Sequence, residues 1–194
     1  MSFSTDTQRT GVELDNLFHD ATRTGAGAIV ATSCVSDWRQ VQPGDVYLAL
    51  PEGCGLDDAE DGHQHAARAV SCGAVAVVCE PPVAVFDVPT YLVRDSRIAF
   101  GQLCQALVEH PTKQLPTIGV TGTHGKSTVI ALVDAIFAAA GHECGIMSSL
   151  TGYDGMSHSP GISDVPSAPT WASRLANMAA APCSHAVVEL SSRT

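Results

Sequence analysis

The chain has few aromatic residues and no apolar run long enough to span a membrane. Aromatic side chains make up 5% of the 194 residues, so the core must be built mainly from Ala, Val, Leu and Ile. No apolar run reaches the roughly 20 residues that a transmembrane helix needs. Residues 1–10 also lack the basic-then-apolar pattern of a signal peptide. With a hydrophobic fraction of 45%, a soluble cytoplasmic protein without a membrane partner is expected.

Positive charge is scarce as well. The formal net charge of −10 disfavours broad electrostatic binding to nucleic acid or to an anionic membrane. The seven cysteines include no C-x-x-C pair, which favours reduced thiols acting as small apolar side chains over disulfides or a zinc site. Only two lysines are present, Lys113 and Lys126. Because Lys126 lies in a glycine-rich segment, a specific role there is favoured.

In the first half of the chain, strand patterns alternate with helix patterns. The strand candidates are 46–50, 74–79 and 90–93, and the helix candidates are 63–72 and the segment from Asp95 to Pro111. The second strand is a continuous apolar run, which is typical of a parallel strand covered on both faces. Asp95 is a suitable helix cap. These patterns predict a small α/β domain over residues 1–112, with a linker at 111–116.

A second α/β unit is predicted over residues 113–194. Its elements are a strand at 117–121, a helix at 126–140, a strand near 144–147, a loop at 148–167, a helix starting near Ser167 and a strand at 186–190. In the first of these helices an inward apolar face is predicted, comprising Val129, Leu132, Val133, Ile136 and Ala140. The fold class is therefore α/β, with a small N-terminal domain followed by an incomplete parallel-sheet domain that carries a phosphate-binding loop.

That loop lies between the strand and the helix. It reads Gly122-Thr123-His124-Gly125-Lys126-Ser127-Thr128 and departs from the general pattern G-x-x-x-x-G-K-[ST] only at Val120, where the first glycine is expected. Glycines let backbone amides surround phosphate oxygens, and the helix N-terminus adds its dipole. Lys126 can reach the β- and γ-phosphates, and Ser127 can ligate Mg²⁺. The alternative is a glycine-rich turn with an incidental lysine, but the order of strand, loop and helix favours phosphate binding.

Glu189 is the second candidate site residue. It lies near the end of the last predicted strand, and open α/β sheets bind ligands beyond the carboxyl ends of their strands. A carboxylate there can hold Mg²⁺ beside nucleotide phosphates. The alternative is a glutamate that faces solvent at a strand end. The phosphate loop two elements earlier favours the metal site.

Several segments resemble the Mur ligases. Residues 121–128 are similar to the ATP loop of that family, T-G-T-N-G-K-[TS]-T, and residues 37–50 to its D-S-R-x-V-x-P-G-D-L-F-V-A-L segment. Residues 61–63 and 73–78 match the segments that come next in the family sequence, in the same order. Residues 186–192 resemble the M-E-V-S-S strand of the family. The similarity is greatest to members that add the third residue of the peptidoglycan stem peptide, diaminopimelate or lysine.

This resemblance implies an ATP-dependent amide ligase of peptidoglycan precursor synthesis. In the family, ATP phosphorylates the terminal carboxylate of a UDP-N-acetylmuramoyl-peptide, and an amine then attacks the acyl phosphate. Transferred by position, Lys126 and the loop bind the phosphates of ATP and stabilise their developing charge, while Ser127 and Glu189 hold Mg²⁺. The residues implied in binding the UDP-sugar substrate are Asp37, Trp38, Arg39, Ser167, Ala168 and Ser191.

The chain also departs from the family pattern. Trp38 replaces the serine of D-S-R, His124 replaces the loop asparagine, residues 167–169 replace T-T-P, and Arg193 replaces a histidine. The rest of the family's ATP domain and its amino-acid-binding domain lie beyond these 194 residues. We therefore expect an exposed apolar face and no ligation by this chain alone, and a separate chain could supply the missing domains. The alternative is a non-catalytic relative that binds nucleotide or UDP-sugar.

Three histidines do not enter this assignment. The spacing of Asp61, His63 and His65 could ligate a metal, although a polar loop entering a helix explains the same residues better. His158 lies in the predicted loop, and the sequence gives it no role.

Overall fold

The computed structural model describes residues 11–53, 60–84, 87–161 and 166–190. The chain divides between Leu107 and Val108 into two compact units. Within the described ranges, no helix has the length and apolar character that would let it cross a bilayer.

The first unit is built on a five-stranded sheet. Its elements are β1 (Val12–Glu13), α1 (Leu14–Leu17), β2 (Thr22–Thr24), β3 (Val30–Ala31), β4 (Cys34–Val35), β5 (Val46–Leu48), α2 (Ala66–Ser71), β6 (Ala76–Cys79), β7 (Thr90–Leu92) and α3 (Ser96–Ala106). Two 3₁₀ turns, Trp38–Gln40 and Gly62–His65, precede β5 and α2. The strand order is β2-β7-β6-β5-β4, in which β2 is antiparallel to β7 and the other pairs are parallel. Strands β1 and β3 form a separate antiparallel pair.

The central strands of this sheet are fully buried. All four residues of β6 are 0% exposed, as the continuous apolar run predicts for a strand covered on both faces. Tyr47 on β5 is also 0% exposed, and its hydroxyl donates a hydrogen bond to the Gly62 carbonyl at 2.9 Å. That bond ties the sheet to the turn before α2, so the turn is held by the core.

Helix α3 begins where the sequence predicts. The Asp95 carboxylate accepts hydrogen bonds from the backbone amides of Arg97 and Ile98 at 2.9 and 3.0 Å, which is the geometry of an N-cap. The helix ends at Ala106, before the predicted stop at Pro111. Glu109 and His110 have positive φ angles of 62° and 53°, so the backbone has already left the helical region when Pro111 is reached.

The predicted linker at 111–116 is wrong as a description of that segment. Residues Pro111–Gln114 form a short helix, α4, and Leu115 is 2% exposed in the core of the second unit with Met147 and Leu175. Proline has a fixed φ that suits the first turn of a helix, and Pro111 occupies that turn. A residue type that usually breaks helices thus begins one here.

A second five-stranded sheet forms the remaining unit. After α4 come β8 (Thr117–Val120), α5 (Lys126–Ala139), β9 (Cys144–Met147), β10 (Thr151–Tyr153), β11 (His158–Pro160), α6 (Ala168–Ala180) and β12 (His185–Glu189). The strand order is β11-β10-β9-β12-β8. Strands β9, β12 and β8 are parallel, whereas β10 is antiparallel to both β9 and β11. Strand β12 therefore lies between the two strands that flank α5 in the sequence.

Part of the predicted loop at 148–167 is a β-hairpin, which corrects the sequence interpretation. Strands β10 and β11 pair through Thr151 with Pro160 and Tyr153 with His158. The Asp154 carboxylate accepts hydrogen bonds from the amides of residues 156 and 157, and Gly155 has a φ of 91°. An Asp-Gly pair at a tight turn is a hairpin signal, and the surrounding Ser, Gly and Pro residues obscured it.

The predicted inward face of α5 is wrong at every position except Val133. Val129, Leu132 and Ile136 are 45%, 59% and 67% exposed, whereas Ile130 is 2% exposed. Ile130 packs with Cys144, Ile146 and Val187, and Val133 and Phe137 pack partly against the same cluster. The helix is apolar almost all round, so two overlapping stripes satisfy the helical period, and the sheet covers only one. The other stripe of α5 is exposed.

Candidate nucleotide and metal site

The glycine-rich loop connects the end of β8 to the start of α5. Gly125 is the N-cap of α5 with a φ of 76°, and Gly122 has a φ of 147°. Side chains with a Cβ are strained at such angles, so these two positions require glycine. The loop residues that precede Lys126, including Thr123 and His124, are exposed, as is Thr128 in the first turn. The loop therefore presents backbone amides and a helix N-terminus to solvent, which is an arrangement that binds anions.

The side chain of Lys126 folds back over this loop. Its Nζ donates a hydrogen bond to the Gly122 carbonyl at 3.0 Å and lies 3.8 Å from Glu189 Oε1. The Lys126 side chain is 17% exposed, and that of Glu189 is 8% exposed. The ammonium group thus lies between the loop and the strand-end carboxylate. It can exchange these two partners for a phosphate oxygen.

Glu189 is held by three donors. Its Oε2 accepts hydrogen bonds from Ser127 Oγ at 3.1 Å, from the Ser149 amide at 2.9 Å and from Ser149 Oγ at 3.0 Å. Burial of the carboxyl favours its neutral form. The hydrogen bonds from Ser149 and Ser127 and the charge of Lys126 outweigh that effect, so the pKa of Glu189 lies below its ordinary value of 4.5. The carboxylate is therefore charged at neutral pH.

Ser149 is a site residue that the sequence interpretation missed. It lies in the segment 148–167 that was expected to be a loop, just after β9. The strand order is what identifies it, because β9 and β12 are parallel neighbours in which Met147 pairs with Val188. The carboxyl ends of parallel neighbours meet at one edge of the sheet, so the residues following β9 arrive beside Glu189.

The residues implied in substrate binding lie in both units. In the first unit, the Asp37 carboxylate caps the turn Trp38–Gln40 and accepts hydrogen bonds from the Arg39 amide and from Arg39 Nε at 3.0 and 2.9 Å. Burial raises the pKa of Asp37, but these bonds and the charge of Arg39 lower it by more. The Trp38 ring lies 5.7 Å from the His65 ring and 5.3 Å from the Arg68 guanidinium carbon.

In the second unit, Ser167 and Ala168 lie at the start of α6. Ser167 is the N-cap residue, but its side chain does not bond to the helix backbone. Its hydroxyl instead lies 2.9 Å from Thr170 Oγ1. Ser191, the remaining residue implied in substrate binding, lies outside the described residues.

The three unassigned histidines have local partners. His63 Nδ1 lies 2.6 Å from Asp61, and its Nε2 accepts a hydrogen bond from the Glu80 amide at 3.1 Å. Because Nε2 accepts from an amide, Nδ1 is the ring nitrogen that can donate to Asp61. His65 contacts Glu60 at 2.6 Å, and His158 stacks on Tyr153 with ring centroids 4.5 Å apart. In the part of the chain that the structure describes, no three His, Cys, Asp or Glu side chains form a metal-binding group.

Comparison with known proteins identifies the family. Residues 120–194 match the Mur ligase middle domain. The chain is 33% identical over 178 residues to UDP-N-acetylmuramoyl-L-alanyl-D-glutamate--2,6-diaminopimelate ligase of Parabacteroides distasonis, and the match covers 88% of this chain and 34% of that protein. The chain belongs to the Mur ligase family. The enzyme of the same name from Bacillus velezensis is 39% identical over 119 residues, which are 61% of this chain and 23% of that protein.

Solved structures support the same fold for this Mur ligase chain. A structure of UDP-N-acetylmuramoyl-L-alanyl-D-glutamate--2,6-diaminopimelate ligase superposes with a TM-score of 0.70 at 20% sequence identity, covering 94% of this chain and 36% of the other. The family resemblance and the α/β fold class that the sequence predicts are thus confirmed. The chain spans about a third of the length of the curated relatives that cover most of it.

Proposed function

We propose that this chain is the front portion of an ATP-dependent amide ligase that acts on a UDP-N-acetylmuramoyl-peptide in the cytoplasm. The observation that carries the proposal is the meeting of Lys126, Ser127 and Glu189 at the end of the glycine-rich loop. In this proposal the second unit, which begins at Val108 and not at the predicted residue 113, is the first part of the ATP-binding domain. The first unit is the UDP-sugar-binding domain. Ligation is proposed for the whole protein. Nucleotide binding is the part of the proposal that can be tested with these 194 residues.

The donors at the site fit Mg²⁺. Mg²⁺ prefers hard oxygen ligands and is commonly held by one or two protein groups together with substrate phosphates and water. Glu189 offers a carboxylate that is charged at neutral pH because its pKa is lowered, and Ser127 offers a hydroxyl 3.1 Å away. Both groups lie beside the loop amides, so a cation held here would be adjacent to bound phosphates.

The residues of the chain then have separate tasks. The amides of residues 122–128 and the α5 N-terminus hold the β- and γ-phosphates of ATP. Lys126 leaves the Gly122 carbonyl and Glu189 to contact a phosphate oxygen. Ser127 and Glu189 hold Mg²⁺, which supplies neutralisation of the charge that develops in phosphoryl transfer. These contacts supply positioning and electrostatic stabilisation, which are the main requirements of phosphoryl transfer.

The proposed substrate contacts extend beyond the loop. Asp37, Trp38 and Arg39 are proposed to face the uridine nucleotide of the substrate, and Ser167 and Ala168 to contact its UDP-sugar. Ser191 is proposed as a further substrate-binding residue. An aromatic face can stack on a nucleobase, and this is the role proposed for Trp38, whose indole also contacts the His65 ring and the Arg68 guanidinium. The terminal carboxylate of the substrate would then receive the γ-phosphoryl group of ATP.

The experiment that tests the proposal is ATP binding by calorimetry, with and without Mg²⁺. Lys126→Ala should weaken binding by about tenfold or more, because a charge-assisted contact to phosphate contributes about 1.5–3 kcal/mol. Lys113→Ala is the matched control, since Lys113 is the only other lysine of the chain and lies in α4. Native affinity in Lys126→Ala would overturn the assignment of the loop.

A further inference from the structure

We propose that Cys34 and Cys104 form a reversible disulfide when the chain meets a peroxide, which makes the pair a redox-sensitive clamp between β4 and α3. The six cysteines of the described residues are free thiols in the structure, so the disulfide is a second covalent state of the first unit. Neither residue belongs to the candidate nucleotide site, and the clamp is therefore independent of the proposed function.

The two sulfur atoms are already in contact. Cys34 Sγ lies 3.6 Å from Cys104 Sγ, although the residues are 70 positions apart in the sequence. Cys34 lies on β4 and Cys104 on α3, and the two residues are 2% and 1% exposed. The S–S bond of a disulfide is about 2.0 Å long, so the sulfur atoms need to approach each other by about 1.5 Å.

The place of β4 in the sheet permits this approach. The strand has two residues and lies at the edge of the five-stranded sheet, with β5 as its neighbour. Elements with few buried contacts open locally at a lower free energy than the central strands of a sheet. A small shift of β4 can therefore bring the sulfur atoms together, and its local opening gives a small oxidant access to them.

Cys79 provides a comparison within the same unit. It is 0% exposed on β6 and packs among apolar side chains that include Ala49 and Val77. Burial raises the pKa of the Cys79 thiol to about 11, as expected for a cysteine that serves as a small apolar side chain. The pKa of Cys34 is also raised, but the largest cause is its contact with the Cys104 thiol, followed by burial. The sulfur–sulfur contact thus distinguishes the pair from a cysteine that only fills space.

The oxidation is balanced with hydrogen peroxide as the oxidant. One thiol, as its thiolate, attacks a peroxide oxygen, which gives a sulfenic acid and releases water. The second thiolate then attacks the sulfenic sulfur, forms the S–S bond and displaces the hydroxyl group as a second water. The two thiols lose two protons and two electrons, and one peroxide is reduced to two waters. A small dithiol reverses the change by thiol–disulfide exchange.

The first test is peroxide treatment of the folded chain, followed by alkylation of the remaining thiols and mass spectrometry of tryptic peptides. Cleavage after Lys and Arg places Cys34 in peptide 24–39 and Cys104 in peptide 98–113, each with a single cysteine. We expect these two peptides to be joined and to separate after reduction with dithiothreitol. Absence of the joined peptide while the exposed Cys72 is oxidised would overturn the proposal, as would linkage of Cys34 to another cysteine.

The second test measures the urea unfolding of the first unit by Trp38 fluorescence in Trp171→Phe. Peroxide should raise the urea midpoint by about 1 M or more, because a disulfide that closes a long loop restricts the unfolded chain. Reduction should return the midpoint to its starting value, whereas oxidised methionine is not restored by a dithiol. An unchanged midpoint in a chain that carries the joined peptides would show that the disulfide does not clamp the fold.

Cys104→Ala and Cys79→Ala, each made in Trp171→Phe, are matched controls because each removes one buried thiol of the first unit. Peroxide should leave the midpoint of Cys104→Ala unchanged and raise that of Cys79→Ala as in the parent chain. Each variant is compared with its own reduced form, so a loss of stability from the substitution itself does not affect the result. An equal rise in Cys104→Ala, or no rise in Cys79→Ala, would contradict the assignment of the clamp to Cys34 and Cys104.

Discussion

Lys126 and Glu189 illustrate how single residues hold one another in place at the candidate site. The ammonium group lies 3.8 Å from Glu189 Oε1, while Ser127 and Ser149 bind the other carboxylate oxygen. A carboxylate that is 8% exposed needs such partners, because an unpaired buried charge is costly. In the proposed function, phosphate and a divalent cation take over these contacts, so the partners that stabilise the carboxylate also keep it in position for them.

The lowered pKa of Glu189 predicts a pH dependence of stability. A depressed carboxyl pKa stabilises the fold above the unfolded-state pKa, near 4.5, and this contribution is lost as the pH falls through the lower folded-state pKa. The difference in free energy of unfolding between the native chain and Glu189→Gln should therefore be greatest above about pH 5 and shrink steadily below it. Urea unfolding between pH 3 and 7 measures this difference, and a difference that grows on acidification would contradict the prediction.

Among the elements, α5 shows how the sheet selects one face of an apolar helix. The helix carries Lys126 and Ser127 in its first turn, so its packing determines where these side chains lie. Ile130 contacts β9 and β12 through Cys144, Ile146 and Val187. The stripe that includes Leu132 remains exposed. The orientation of the site thus depends on a buried residue outside the loop motif.

Substitution of the two faces of α5 should have unequal effects on stability. Ile130→Ala should lower the free energy of unfolding by about 2–5 kcal/mol, because it leaves a cavity in the core. Leu132→Ala on the same helix should change it by less than about 0.5 kcal/mol, because the side chain is 59% exposed and such surface changes are small. Urea unfolding followed by circular dichroism makes the comparison. Equal losses of unfolding free energy, or a larger loss for Leu132→Ala, would instead support the inward face that was predicted from the sequence.

At the scale of the whole molecule, each compact unit has its own sheet and its own tryptophan. Trp38 lies in the first unit and Trp171 in the second, and the chain contains no other tryptophan. The candidate nucleotide site is built entirely from residues of the second unit, from Gly122 to Glu189. Fluorescence can therefore report on each unit separately once one indole is removed.

Nucleotide should stabilise the unit that binds it. In Trp38→Phe, the unfolding transition reported by Trp171 should shift in the presence of Mg²⁺ and ATP, by about 2.7 kcal/mol at a ligand concentration of one hundred times Kd. Lys126→Ala in the same background should remove most of the shift. A shift seen by Trp38 in Trp171→Phe, without one seen by Trp171 in Trp38→Phe, would place the nucleotide in the first unit instead.

Local and periodic signals in the sequence determined much of the fold. The Asp95 cap, the buried strand β6 and the order of strand, glycine-rich loop and helix depend on residues close to one another in the chain. The place of Glu189 at the end of a buried strand also follows from its own segment. These features could be predicted because capping, strand burial and loop geometry act over a few residues.

Only the tertiary structure decided which of these elements meet. The pairing of β12 with both β8 and β9 joins segments far apart in the sequence, and it brings Ser149 to Glu189. The same sheet selects Ile130 over Leu132 as the buried side of α5. The sequence alone thus determined the glycine-rich loop and the strand-end carboxylate. Contact between them, and the third oxygen beside them, depended on strand order, because the pairing of distant parallel strands is not encoded in any one segment.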